Sequence, residues 1–445
     1  DVKKLANWLT KINYREVWMD YIAQRTPGTG AWYLRRRQFT RWMENPGEIL
    51  CGTGIPGAGK TIISSIVIQH LQEYVDVSTG TACVAFAFYR YSDQVSVKDI
   101  LAALVRQLLE DHPAVYELVK VMYDHHNRRS THPSKAELLN ILQQTSRIFT
   151  RRFYTLDALD EMPNDVQVEI LQALASLNAN LFFASRPLTL PQVIGHRAAA
   201  VEISAQEEDI KILIERAIDQ SSDFRHLLRH PSNQTGNWEE KVALAVREKS
   251  GGIFLLVTLQ IDMLQQCLNI AELEEALLTM PEGIKEMYGT TIQRIRNQPK
   301  NSFNLAQRVF LWLRYAQRSL TIPELKYAIA IDPKTYQFEA NRVVHEDRLV
   351  SVCCGLVTVD QKSGHVRLIH HTAVDSLREA LPHIGESPHS FISIACVRFL
   401  WEHLQPYNTS DPAKRIRQAS VNPSTKAPNH PFYDYAFAYW AAHAH

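Results

Sequence analysis

The sequence predicts an α/β domain on a doubly wound parallel sheet, followed by a helical domain, a winged-helix domain and a second helical domain. Three observations carry that expectation. A glycine-rich stretch, GIPGAGKT (54–61), lies between an apolar stub and a run with helical spacing. Apolar, aromatic-rich runs then alternate with helix-period segments as far as about residue 204, the order that builds parallel sheets. Beyond 204 the strand pattern stops and helical spacing takes over, broken by one hairpin-like pair of runs. A chain of 445 residues exceeds one core, so about three or four units are expected.

Taken in order, residues 1–47 read as an N-terminal helical segment, and the nucleotide-binding domain spans 48–204. Its stub, Ile49-Leu50-Cys51, feeds a stretch that fits G-x-x-x-x-G-K-[ST] and opens the helical run TIISSIVIQHLQEYV. Gly54, Pro56, Gly57, Ala58, Gly59, Lys60, Thr61 and Ile62 therefore form a candidate phosphate loop. Glycines let backbone N–H groups turn inward around phosphate oxygens, and the helix N-terminus adds the positive end of its dipole. Lys60 can reach the β- and γ-phosphates, and the Thr61 hydroxyl is placed to ligate Mg²⁺. The fold this implies is that of a P-loop NTPase.

Such a loop needs an acidic partner for the metal at the end of a buried parallel strand. RFYTLDALDE supplies Asp157 after an extended stretch, with Asp160 and Glu161 just beyond. Asp157 would hold Mg²⁺; Asp160 or Glu161 would polarise the attacking water. ACVAFAFYRY is another strand, and SVKDILAALVRQLLED opens with a capping box, Ser96 and Asp99. SKAELLNILQQTSRIF repeats the device with Ser134 and Glu137. NLFFASRP is a short apolar strand ending at Ser185 and Arg186. Ligands sit at the carboxyl ends of such strands, so Arg186 either faces the γ-phosphate or is a surface arginine before a turn proline.

Residues 205–298 carry helical spacing in QEEDIKILIERAIDQ and EEKVALAVREKS. Residues 299–384 give helix, then TIPELKYAIAI capped by Thr321 and Glu324, then strand-like GLVTVD and HVRLIH joined by QKSG. Helix, helix and hairpin make a winged helix. From 385 to 445, FISIACVRFLWEHL and PFYDYAFAYWAAHA are apolar helices separated by a polar, proline-containing loop over 406–430.

These segments resemble the NACHT branch of the STAND nucleotide-switch ATPases, in particular fungal members with ankyrin or similar repeats. The resemblance rests on RTPGTGAWYL, GIPGAGKT, LDALDE, FFASRP, SGGIFLLVTLQIDML, LTIPELKYAIAI, RLIHHTAVDSL and PFYDYAFAYWAAHA, in the family's order. It implies an ATP/ADP switch, closed with ADP and oligomerising with ATP, that signals as NOD-like receptors or incompatibility proteins do. Slow hydrolysis of ATP, with GTP open, and Mg²⁺ are implied with it. RTPGTGAWYL falls where relatives hold base and ribose, so Gly28, Thr29 and Gly30 are candidate base contacts; by itself PGTG is only a turn. The resemblance also implies an effector domain and ligand-sensing repeats outside this chain, which then looks like an excised core.

RLIHHTAVDSL places His370 beside His371. On a strand the two point to opposite faces, and no cysteine or carboxylate cluster accompanies them, which excludes metal ligation. Thr372 and Asp375 read as a capping box that puts His371 at helix entry. The family's histidine, two residues before Thr, falls on His370 and implies a β-phosphate contact in the closed state. Ala373 and Val374 depart from the family's aromatic and glutamine, and from its residues alone His370 also fits a filled core.

Composition excludes other classes. Lys plus Arg total 48 against 47 for Asp plus Glu, and the second winged-helix segment has no Arg-rich face, so DNA is not an expected partner. No apolar run approaches the ~20 residues that span a bilayer, so no membrane is expected. Six scattered cysteines without CxxC spacing fit reduced thiols and a cytoplasmic protein. Two other readings stay open: an AAA-type remodelling ATPase and a scaffold that binds nucleotide without turnover.

Overall fold

Five parallel strands form the sheet that carries the phosphate loop: β1 (Ile49–Thr53), β2 (Ala82–Phe88), β3 (Arg151–Asp157), β4 (Asn180–Ser185) and β5 (Ala198–Glu202). In this computed structural model, which describes residues 1–89, 95–187, 194, 197–229, 237–332, 335–359, 364–370, 372–380, 387–403 and 430–444, they lie in the order β2-β3-β4-β1-β5. Alternate side chains leave each strand for opposite faces. Ile49, Cys51, Tyr154, Leu156, Leu181 and Phe183 enter one core with Leu104, Leu138 and Ile170. Leu50, Phe153, Phe182 and Ala184 enter a second with Ile66, Phe39 and Trp42. Both faces are covered, which is why the strands read as continuous apolar runs.

The residues ahead of the loop join both layers. Leu5, Ala6, Leu9 and Tyr14 pack into the first core, and Trp32, Tyr33, Phe39 and Trp42 into the second. Three of the four expected capping boxes form, Ser96 with Asp99, Ser134 with Glu137, and Thr321 with Glu324, while the fourth, Thr372 with Asp375, involves a side chain outside the described residues. β5 is an addition to the strands read from the sequence. Its alanines have little intrinsic strand preference, and the segment is extended because it pairs residue for residue with β1, from Ile49↔Ala198 to Thr53↔Glu202.

The chain divides into two compact units, Asp1–Thr258 and Leu259–His445, and the division falls within the helix Phe254–Leu264. In the second unit β6 (Leu320–Thr321), β7 (Val357–Val359) and β8 (His365–Leu368) form an antiparallel sheet in the order β6-β8-β7. With the helices Lys300–Tyr315, Ile322–Ala330 and Glu346–Ser351 this is the winged helix, with one helix and one strand more than the sequence reading. β8 ends at Leu368, so His370 stands beyond the strand and not on it. Trp312, 1% exposed, packs against Phe391, Phe432 and Tyr435 of the following helical region. His371, the Asp375 side chain and the expected loop over 406–430, except His430, lie outside the described residues.

Candidate functional site: a phosphate loop with buried and half-buried carboxylates

The loop is held on three sides before it turns into its helix. The Gly54 N–H donates to the Ser185 carbonyl at the end of β4 (3.1 Å), and the Ile203 N–H, just past β5, donates to Thr53 (2.6 Å). A side chain at Gly54 would place Cβ 2.6 Å from the Ile203 carbonyl oxygen, so glycine is required there by close approach. Gly57 and Gly59 take φ of +78° and +93°, the left-handed region that lets successive N–H groups face one concavity. The Gly57 carbonyl accepts from the Leu255 N–H (3.0 Å), tying the loop to the start of the helix Phe254–Leu264. Ala58 is buried, whereas Pro56, Thr61 and Ile62 are half-buried.

Lys60 opens the 18-residue helix Lys60–Val77. Its Nζ donates to the carbonyls of Gly54 (3.0 Å) and Ile55 (3.2 Å). Burial lowers its pKa, opposed chiefly by the charges of Asp160 and Asp157. Asp157 ends β3 and is 2% exposed. Ser64 Oγ donates to its Oδ1 (2.6 Å), and the Thr61 hydroxyl reaches it as well. Burial pushes the Asp157 carboxyl up to about 6 against these bonds and Lys60. A buried carboxylate and two hydroxyls brought together beside an ammonium are a donor set suited to a hard cation such as Mg²⁺.

Immediately after Asp157 the chain turns at Ala158, φ +56°, so that Asp160 and Glu161 follow on a short 3₁₀ turn. Asp160 accepts from the Arg186 backbone N–H (3.0 Å) and pairs with its Nε (3.0 Å). Because β4 lies between β1 and β3, Arg186 at its end is brought between the loop and the acidic turn. Lys60, Thr61, Asp157, Asp160, Glu161 and Arg186 thus gather at one end of the sheet. Ser64, one turn beyond Thr61, was not among the residues singled out from the sequence; its only local signal is its place on the helix face that bears Lys60 and Thr61.

The turn holding Gly28, Thr29 and Gly30 lies against two helices of the same unit. Thr29 is 2% exposed and its hydroxyl donates to the Thr26 carbonyl (2.7 Å), closing the turn. Gly30, φ +74°, has no room for Cβ, which would fall 2.5 Å from Ile66 Cδ1. In the second unit, His370 Nδ1 accepts from the Thr372 N–H (3.3 Å) and meets the Thr372 hydroxyl (2.8 Å), which also meets Tyr288 Oη (2.8 Å). With Nδ1 accepting, the ring proton of neutral His370 sits on Nε2.

Residues 28–186 match the family model for nephrocystin 3, N-terminal, and residues 293–382 match that for the winged-helix domain of GPI inositol-deacylase. The matched regions are those of a NACHT-related nucleotide-binding domain and of a winged helix. The fold of the chain is the parallel α/β sheet of P-loop NTPases followed by a winged helix. No curated protein matches the chain in sequence. Among solved structures it is similar to a STAND protein with a tetratricopeptide repeat sensor from Pyrococcus horikoshii, at 11% identity and TM-score 0.44, covering 87% of this chain and 47% of that one. The chain therefore spans about half the length of that protein. It is also similar to Aeropyrum pernix ORC1 in complex with DNA, at 14% identity and TM-score 0.30, covering 84% and 94% of the two chains. C. elegans PCH-2 matches at 13% identity and TM-score 0.30, over 61% and 69%. Likenesses at this level speak to neither ligand nor partner. Among the described residues, no helix of this chain is long and apolar enough to cross a membrane.

Proposed function

We propose that this chain is a nucleotide-dependent switch, closed with ADP and open and self-associating with ATP, which slow hydrolysis resets. The observation that carries the reading is the hydrogen bond from Leu255 to the Gly57 carbonyl. It makes the shape of the phosphate loop and the seating of the helix Phe254–Leu264 one variable, and a ligand shifts an equilibrium only through contacts that differ between its states.

Lys60, the inward N–H groups within the loop 54–60, where Pro56 has none and Gly54 gives its own to Ser185, and Ile62 at the helix start would hold the phosphates, with Thr61 and Asp157 on Mg²⁺. The metal, when bound, supplies charge neutralisation. Asp160, which pairs with Arg186, or Glu161 would polarise water. Arg186 would sense the γ-phosphate by leaving that pair. Gly28, Thr29 and Gly30 would present their backbone to the base, adenine by preference and guanine as the alternative. His370 Nε2–H would donate to the β-phosphate in the closed state. We assign the helical, winged-helix and second helical domains to 205–298, 299–384 and 385–445, with effector and sensor elements supplied from outside this chain, in cytoplasmic signalling of the immune-receptor or incompatibility type.

The nucleotide carried by freshly purified protein tests the switch. ADP retained in near-stoichiometric amount supports it. An empty site with sustained turnover overturns it in favour of a remodelling ATPase.

A further inference from the structure

We propose that Asp209 is a positioning residue for the nucleotide base: its carboxylate fixes the turn 26–30, so that base binding depends on the first turn of the helix Glu207–Gln220. The inference rests on the reading of Gly28–Gly30 as the base-facing turn.

Asp209 occupies the third position of that helix and is 3% exposed. An acidic residue there ordinarily serves the helix alone, accepting from the N-terminal backbone, as Asp209 does from Gln206. Here it also leaves its own segment. Oδ1 accepts from the Gly30 N–H (2.8 Å) and Oδ2 from the Trp32 indole N–H (3.0 Å), across nearly 180 residues of chain. A buried carboxylate is costly unless its acceptor sites are filled. Turn and helix therefore satisfy each other, and neither can move away without stranding a charge.

The same helix grips the turn at two further points and the residues after it at a third. Arg216 donates to Thr26 Oγ1 (3.0 Å), Glu208 pairs with Arg35 (2.9 Å), and Ile212 closes over Gly28. On the opposite side, Gly30 rests on Ile63 and Ile66 of the phosphate-loop helix. The turn is thus a thin layer between the helix that starts at the phosphates and the helix that starts at Glu207. A base held by its backbone is placed relative to the phosphates by Gly30 and fastened in that place by Asp209. A shift of the helix Glu207–Gln220 would loosen the base while leaving the phosphate contacts intact.

Comparing ADP with pyrophosphate, which meets the loop but has no base, separates the two sets of contacts. On the nucleotide-stripped 445-residue chain, calorimetric titration should show Asp209→Asn weakening ADP about tenfold while pyrophosphate changes less than about twofold. Trp32→Phe, which keeps an aromatic ring and deletes one of the donors to Asp209, should weaken ADP alone by about threefold. If wild-type protein binds ADP no tighter than pyrophosphate, the base reading of Gly28–Gly30 fails. If wild-type protein prefers ADP and the variants keep that preference in full, Asp209 positions nothing. Proportional weakening of both ligands with a lower melting temperature also overturns the proposal, since that is the signature of a structural cap. Should Asp209→Asn not fold, an unchanged ADP-to-pyrophosphate ratio in Trp32→Phe overturns it equally.

Discussion

Asp157 is the carboxylate at this site with least access to water, and burial raises its pKa, which a bound cation would lower again. Asn at this position keeps the shape and can still accept from Ser64, but brings no charge to a metal. We expect Mg²⁺ to tighten ADP binding to wild-type protein by about tenfold or more and to leave Asp157→Asn nearly unresponsive, as read by titration with and without the ion. His370 is limited by magnitude. A hydrogen bond to a charged phosphate contributes roughly 1.5–3 kcal/mol, whereas a switch moved from 1:99 to 99:1 needs about 5.5 kcal/mol. His370→Ala should therefore speed nucleotide release about ten- to a hundredfold, in stopped-flow exchange of a fluorescent ADP, without opening every molecule. Release at the wild-type rate would take His370 out of the mechanism.

At the scale of elements, the sequence was most legible where the determining pattern is local. Ser96–Asp99, Ser134–Glu137 and Thr321–Glu324 each need only a polar cap and an acid three residues on, and each box is formed. The phosphate loop was legible for the same reason. β5 was not, because five residues dominated by alanine become a strand only through β1; β6, two residues long, depends likewise on β8. Asp209 escaped notice because its partners are remote in sequence and its own surroundings, Glu207 and Glu208, look like an ordinary helix start. The third capping box does more than begin a helix. Glu324, 6% exposed, also takes two bonds from the Arg318 guanidinium (2.6 and 2.9 Å). Its loss strands a partly buried cation as well as a cap. We expect Glu324→Ala to destabilise the winged helix by about 2–4 kcal/mol, read from denaturant unfolding.

Over the whole molecule, two groups of the second unit set opposed responses to acid. His443 is 1% exposed, bonded to Tyr435 Oη (2.9 Å) and His389 Nδ1 (2.9 Å). Burial, then the neighbouring His389, lower its pKa to about 4. The unfolded chain binds the extra proton between about 6.5 and 4, so this contribution is present at neutral pH and lost on acidification. Asp262 is raised to about 6 by burial, with Arg294 opposing. Its contribution runs the other way, full below about 4 and lost as pH rises through 6. The two run in opposite directions, so in wild-type protein each masks part of the other. Asp262→Asn should raise the melting temperature at pH 7 and lose that advantage by pH 4, in calorimetric scans across the range.

The bond between Gly57 and Leu255 gives the molecule a built-in reporter. An α-helix is stiff along its axis, and the one beginning at Phe254 crosses from Thr258 into Leu259, where the two units divide. Whatever bends the loop tugs on the first turn of that rod. The amide proton of Leu255 should exchange with deuterated water at one rate with ADP bound and at a faster one with a non-hydrolysable triphosphate. Equal rates would mean that the rod is not pulled.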